Sequence, residues 1–152
     1  MGRNGLSSHH LEGGGTTPIG VFTIGPTMDG VSVSPGVRFG YHQLSCGDWW
    51  NEDRQSRSYN HFVHLACGVA PSFTGSSEAL WQNVPAYDYF AVIDYNVSPV
   101  VPGRGSGIFL HVAKGDPTTG CVSVAKENLL QLLRLLRPSS RPLIDIATAL
   151  RG

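Results

Sequence analysis

The chain lacks a surplus of either charge. Eleven Lys and Arg balance eleven Asp and Glu in 152 residues, and charged residues are only 14% of the whole. Nucleic-acid binders normally carry a basic surplus or stripe, so no nucleic-acid partner is expected. No apolar run approaches the roughly 20 residues that a membrane-spanning helix needs. The opening, residues 1–15 (MGRNGLSSHHLEGGG), has no apolar core and does not read as a signal peptide. Residues 1–14 read instead as a flexible, solvated segment that includes His9 and His10. No internal repeat is present.

Chain breakers are plentiful: 19 Gly and 10 Pro. They favour short strands joined by many turns. Residues 13–17 read as a flexible entry to a β-like run at 18–24 (PIGVFTI). Residues 31–43 read as two strand pieces around Pro35-Gly36, and 61–67 as a short strand. Residues 46–60 (CGDWWNEDRQSRSYN) read as a long surface loop with embedded aromatics. A helical turn is expected at 80–85. Residues 88–95 (DYFAVIDY) show the clearest period-two strand pattern, with Asp88 and Asp94 facing solvent. A Gly/Pro-rich connection leads to 108–112 (IFLHV), a buried strand. The single helix is expected at 125–137, where Leu129, Leu132, Leu133 and Leu136 make one stripe. Arg134 and Arg137 suit the negative end of its dipole, and Pro138 prevents its continuation. Residues 143–148 (LIDIAT) read as a closing strand, with Asp145 facing solvent. The sum is a mainly β domain over residues 1–152 with one amphipathic helix.

Three cysteines leave one odd. Cys46 and Cys67 lie in one half of the chain, each followed by glycine, and read as a disulfide, which implies an oxidising compartment. The alternative is three reduced, buried thiols. His61, His64, Cys67 and Cys46 also have zinc-ligand chemistry. Their spacing puts them on alternating strand faces, so no metal and no cofactor are expected.

The chemistry concentrates in residues 107–124 (GIFLHVAKGDPTTGCVSV). His111 ends a strand, and Cys121 follows a Gly/Pro turn ten residues later. A cysteine attacks only as thiolate, and an adjacent imidazole takes its proton. Two strands joined by a tight reversal would bring the pair together. Gly120 would keep side-chain bulk away from the thiol, and the N–H groups of Gly120 and Cys121 offer an oxyanion hole. The bland reading is a packed thiol and a satisfied core histidine. Trp49, Trp50, Tyr59 and Asn60 are candidates to line a substrate groove. Arg104 is a candidate partner for a substrate carboxylate.

This stretch resembles the catalytic motif of the L,D-transpeptidase catalytic-domain family. Thr118, Gly120, Cys121 and Val122 match its Ser/Thr-His-Gly-Cys-hydrophobic run, and His111 matches its upstream histidine. Residues 16–22 (TTPIGVF) are similar to its TPxGxF entry. Pro117-Thr118-Thr119-Gly120-Cys121 matches a variant branch with a Pro-Thr-x-Gly-Cys motif. The likeness runs in pieces from about Gly13 to Leu136. Three departures stand out: Thr119 replaces the second histidine, Ser123 replaces a common arginine, and the His111-to-Cys121 gap is shorter than usual. The resemblance implies a β-sandwich or barrel with a helix after the cysteine. It implies a secreted, extracytoplasmic and monomeric enzyme acting on peptidoglycan stem peptides, with Cys121 as nucleophile, His111 as base and Thr118 and Thr119 against substrate. It further implies 3→3 cross-links made through a thioester, and trapping by carbapenems. An L,D-carboxypeptidase and a non-catalytic peptidoglycan-binding module are the alternatives.

Overall fold

The structure, a computed structural model, describes residues 1–148 apart from Gly75. Its strands are β1 (Leu6–Ser7), β2 (Thr17–Pro18), β3 (Gly20–Gly30), β4 (Gly40–Gln43), β5 (Asp48–Asn51), β6 (His61–His64), β7 (Glu78–Ala79), β8 (Phe90–Ile93), β9 (Phe109–Val112), β10 (Val122–Val124) and β11 (Leu143–Ile146). The one α-helix among the described residues, α1 (Lys126–Leu135), follows β10.

A six-stranded sheet runs β10–β9–β8–β3–β11, with β4 also paired to β3. β3 is long enough to serve three neighbours: β11 pairs with its first residues, β4 with its last, and β8 with its middle and end. The register against β8 shifts between Ile24 and Met28. Pro26, which has no N–H to give a ladder, lies in that irregularity.

Successive residues of a strand point to opposite faces. On one face Met28, Ala91, Ile93, Leu110 and Val112 pack against Leu129 and Leu133 of α1. Both leucines are fully buried, and each contributes about 2 kcal/mol to stability. On the other face Phe90 and Phe109 pack against Trp50, Leu80, Tyr87 and Cys121. Trp50 belongs to a second sheet, β6–β5–β7. The molecule is therefore a mainly β sandwich with one helix, as the chain-breaker content and the single leucine stripe imply. Because β8 and β9 are covered on both faces, they read as nearly continuous apolar runs.

Several expectations need correction. Residues 1–14 are tied down rather than loose: β1 pairs with β2, Arg3 N–H donates to the Thr118 carbonyl at 2.8 Å, and His10 is buried. Residues 31–43 yield one strand, β4, not two. The stretch 46–60 is no surface loop, since it contains β5, the central strand of the small sheet, and its Asp48, Trp50, Asn51, Tyr59 and Asn60 are buried. Arg134 reaches the Pro35 carbonyl at 2.7 Å instead of the helix end, and Arg137 lies beyond α1. Asp88 is ion-paired with Lys126 at 2.8 Å, and Asp94 accepts a hydrogen bond from Thr23 Oγ1 at 2.6 Å. The expected disulfide joins Cys46 to Cys67. That bond removes two of the four candidate zinc ligands, while His64 Nδ1 is committed to Asp48 at 2.6 Å.

Candidate active site

His111 and Cys121 are brought together by a parallel pair of strands, not by the expected hairpin. β10 lies parallel to β9, with Val122 opposite Leu110 and Ser123 opposite His111. One step back along the chain, Cys121 falls opposite Phe109. The period of two then puts Phe109, His111 and Cys121 on one face of the sheet. Both residues line one groove of about 670 Å³, with Trp49, Tyr87, Lys114 and Thr119 among its walls.

The thiol is fully enclosed in hydrogen bonds. Cys121 Sγ–H donates to the Gly107 carbonyl at 3.2 Å, and Sγ accepts from the Phe109 N–H at 3.3 Å. Burial pushes its pKa far up, and the Glu78 carboxylate pushes the same way; the Phe109 N–H opposes them. The resting form is a neutral thiol. His111 is also buried, and burial lowers its pKa, with the Lys114 ammonium adding to the shift and the Val112 carbonyl opposing it. Its Nδ1 lies 2.8 Å from that carbonyl. A carbonyl only accepts, so Nδ1 carries the proton and Nε2 keeps a lone pair. The imidazole stands edge-on to Tyr87 at 5.7 Å between centroids. The two are a neutral acid and a neutral base on the walls of one groove.

The motif residues brace this pair. Thr118 Oγ1 donates to the Cys121 carbonyl at 2.7 Å and accepts the Gly120 N–H at 3.2 Å. Thr17 Oγ1, fully buried, reaches the same carbonyl at 3.4 Å. The Gly120 N–H, expected in an oxyanion hole, is thus engaged by Thr118. A Cβ on Gly120 would meet Ile108 Cδ1 at 3.0 Å and the Thr16 carbonyl at 3.2 Å. Gly120 therefore permits the close approach of Ile108 and of the chain just before β2. Thr119 is exposed at the groove.

The other expected substrate contacts lie elsewhere. In β5, Trp49 lines the groove and packs edge-on with Trp81. Its neighbour Trp50 points inward against Phe109, with ring centroids 5.0 Å apart. Tyr59 and Asn60 are each about 1% exposed. Tyr59 donates to Glu12, and Asn60 holds Trp50, Gly107 and the carbonyls of Tyr95 and Asn96. These three are interior residues, not groove walls. Arg104 is exposed in a turn whose carbonyl accepts from Tyr95, and it is not part of the groove. The cation that lines the groove is Lys114.

Sequence reasoning missed four contributors. Gly107 supplies the carbonyl that holds the thiol proton, at φ +62°, and a Cβ there would lie 2.3 Å from Glu52 Oε1. Glu78 is partly buried and holds Tyr87 and Asn83. Burial raises its pKa. Thr17 and Tyr87 complete the set. Gly107, beside the apolar run before His111, and Thr17, in the TPxGxF-like entry, are the two that left a readable signal. A second cavity, about 370 Å³, adjoins the groove through Glu78 and Thr119 and is lined by Glu12, Glu52, Arg3 and His10.

Comparison with protein families places this geometry. The YkuD L,D-transpeptidase catalytic-domain model matches residues 1–144. The chain belongs to that family, whose members act on peptidoglycan. The match extends the likeness beyond residues 13–136 to include the N-terminal strand and the first half of β11. No curated protein and no solved structure matches the chain.

Proposed function

We propose that the chain is one catalytic domain that transfers peptidoglycan stem peptides through a Cys121 thioester, making 3→3 cross-links. The observation that carries this reading is the shared face of β9 and β10, which sets a protonated thiol and an imidazole with a free lone pair in one groove. His111 Nε2 takes the Cys121 proton, and the sulfur attacks the carbonyl carbon before the terminal D-Ala. The Cys121 N–H steadies the resulting oxyanion, since Gly120's is engaged. Collapse breaks the C–N bond, and the His111 proton passes to the D-Ala amine as it leaves. An amine of a second stem then attacks the thioester, gives its proton to His111, and restores the thiol. Water in place of that amine gives hydrolysis. Lys114 is the groove cation that fits a donor carboxylate. The disulfide supports an extracytoplasmic site of action.

The burial that keeps Cys121 protonated favours one other reading, a module that holds cell-wall peptide without cleaving it. Intact mass after incubation with a carbapenem separates the two. The catalytic reading expects one acyl adduct, lost in Cys121→Ala and strongly slowed in His111→Ala. Folded, reduced protein that forms no adduct overturns it and leaves the binding module.

A further inference from the structure

A third cavity, about 460 Å³, opens on the same sheet face as Cys121 but shares no lining residue with the groove. Its size falls within the range of small-molecule sites, about 300–1,000 Å³. Its floor is apolar: Trp50, Leu80, Phe90 and Val92. The β3 irregularity at Gly25 and Pro26 forms one wall, and Phe62, 40% exposed, forms part of the rim.

One polar group in it is unaccounted for. Asp29 is only 7% exposed, yet no described residue hydrogen-bonds or ion-pairs with its carboxylate. Its place in the sheet directs it at the cavity. Asp29 is opposite Phe90 on β8 and opposite His42 on β4, so all three side chains share a face, and all three line the cavity. His42 does not satisfy it, since His42 Nε2 is bound to Asp48 at 3.0 Å. Burial raises the Asp29 carboxyl to about 6, against a lowering influence from His42. A cation in the cavity would favour its ionised form. Asp94 adds a second carboxylate to the lining, and no Lys or Arg lines it. No side-chain oxygen or nitrogen among the described residues is both sealed from solvent and unbonded, so the Asp29 carboxylate opens to the cavity, and whatever occupies the cavity must satisfy it.

We propose that this cavity binds an organic ammonium ion with an apolar body, the ammonium pairing with Asp29 and the body lying on the accessible apolar lining, Val92 and Phe62. The site is separate from the transfer reaction and stands whether or not Cys121 is catalytic. An anion is repelled by two carboxylates, and a neutral apolar molecule leaves Asp29 unpaired.

The test is ¹⁵N-resolved NMR titration of the intact chain with n-hexylammonium, with hexan-1-ol and hexanoate as matched probes. Saturable shifts at Asp29, Phe62, Phe90 and Val92 are expected with the ammonium, and binding at least about tenfold weaker with the alcohol, the factor of one charge-assisted hydrogen bond. Asp29→Asn should lose about the same factor with its spectrum otherwise intact. Should that variant not fold, Thr27→Trp tests the same site from its exposed rim and should block binding. Equal binding of the alcohol, unchanged affinity in Asp29→Asn or in Thr27→Trp, or shifts confined to the Cys121 groove would each overturn the proposal.

Discussion

Replacing Asn60 by alanine tests whether an interior post, remote from substrate, sets the position of the nucleophile. Its Oδ1 accepts from Trp50 Nε1–H at 3.0 Å and from Gly107 N–H at 2.9 Å, and its Nδ2 donates to the carbonyls of Tyr95 and Asn96 at 3.1 and 2.8 Å. At roughly 1 kcal/mol net for each hydrogen bond, truncation costs about 4 kcal/mol. Asn60 also sits at φ +59°, a conformation that costs alanine about 1 kcal/mol more. The expected loss for Asn60→Ala is therefore about 5 kcal/mol, a large share of the stability of a domain this size. Asn60→Gly should be milder by about 1 kcal/mol, because glycine adopts that backbone freely. Urea unfolding followed by tryptophan fluorescence measures both. A loss below about 2 kcal/mol for alanine would refute the four-bond account, and equal losses for alanine and glycine would refute the backbone term. In the fraction that stays folded, carbapenem acylation should slow, because the Gly107 carbonyl that holds the thiol proton is no longer fixed.

Three further outcomes follow from the same geometry. Thr118→Val removes the hydrogen bonds to the Cys121 carbonyl and from the Gly120 N–H. It should cost about 2 kcal/mol in urea unfolding and slow acylation, while Thr118→Ser restores both; a Ser variant as weak as Val would contradict the bracing role. Glu78→Gln keeps an acceptor for Tyr87 but removes a charge that disfavours the Cys121 thiolate. Iodoacetamide alkylation of Cys121 should become faster at fixed alkaline pH, and an unchanged rate would sink the electrostatic coupling. Burial raises the Glu52 carboxyl from 4.5 to about 8. A raised pKa means the folded state holds a proton that the unfolded chain has released, so this group's contribution to stability is full below about pH 4.5 and is lost on rising through about 8. The Tm gain of Glu52→Gln should therefore be larger at about pH 8.5 than at about pH 5; a pH-independent difference counts against it.

The strands around the site were largely legible in sequence because both faces of the large sheet are buried. Apolar continuity at 108–112 is a direct imprint of that burial, and the leucine stripe of α1 is the imprint of the face that covers the sheet. The disulfide followed from cysteine context. What stayed hidden is set by partners distant in the chain. Nothing local distinguishes Trp49, at the groove, from Trp50, behind Phe109, because a one-residue change of register exchanges them. Residues 46–60 look like a polar loop because their polar side chains bond to one another inside the protein: Asp48 to His42 and His64, Asn51 to Ser56 and Ser58. The N-terminal segment looks loose because β1 is two residues long and its partners, β2 and the 118 region, lie elsewhere in sequence. The reversal expected between His111 and Cys121 failed for a different reason. Sequence spacing gives the length of a connection but not the relative direction of the strands it joins.

That direction shapes how the site is able to change. A chain joining two parallel neighbours must travel back the full length of a strand before starting the next. Here it does so in residues 113–121, with no helix. Its ends are pinned by the β9–β10 ladder, so the separation of Cys121 and His111 does not depend on what lies between them. Its middle, Lys114 to Thr119, has nowhere to run but along the groove, where Lys114, Asp116, Pro117, Thr118 and Thr119 form a wall. The return path is thus a replaceable cassette. Lengthening or recharging it would reshape the groove while Cys121 and His111 stay in register. The version in this chain is one setting of a dial that the sheet leaves free to turn.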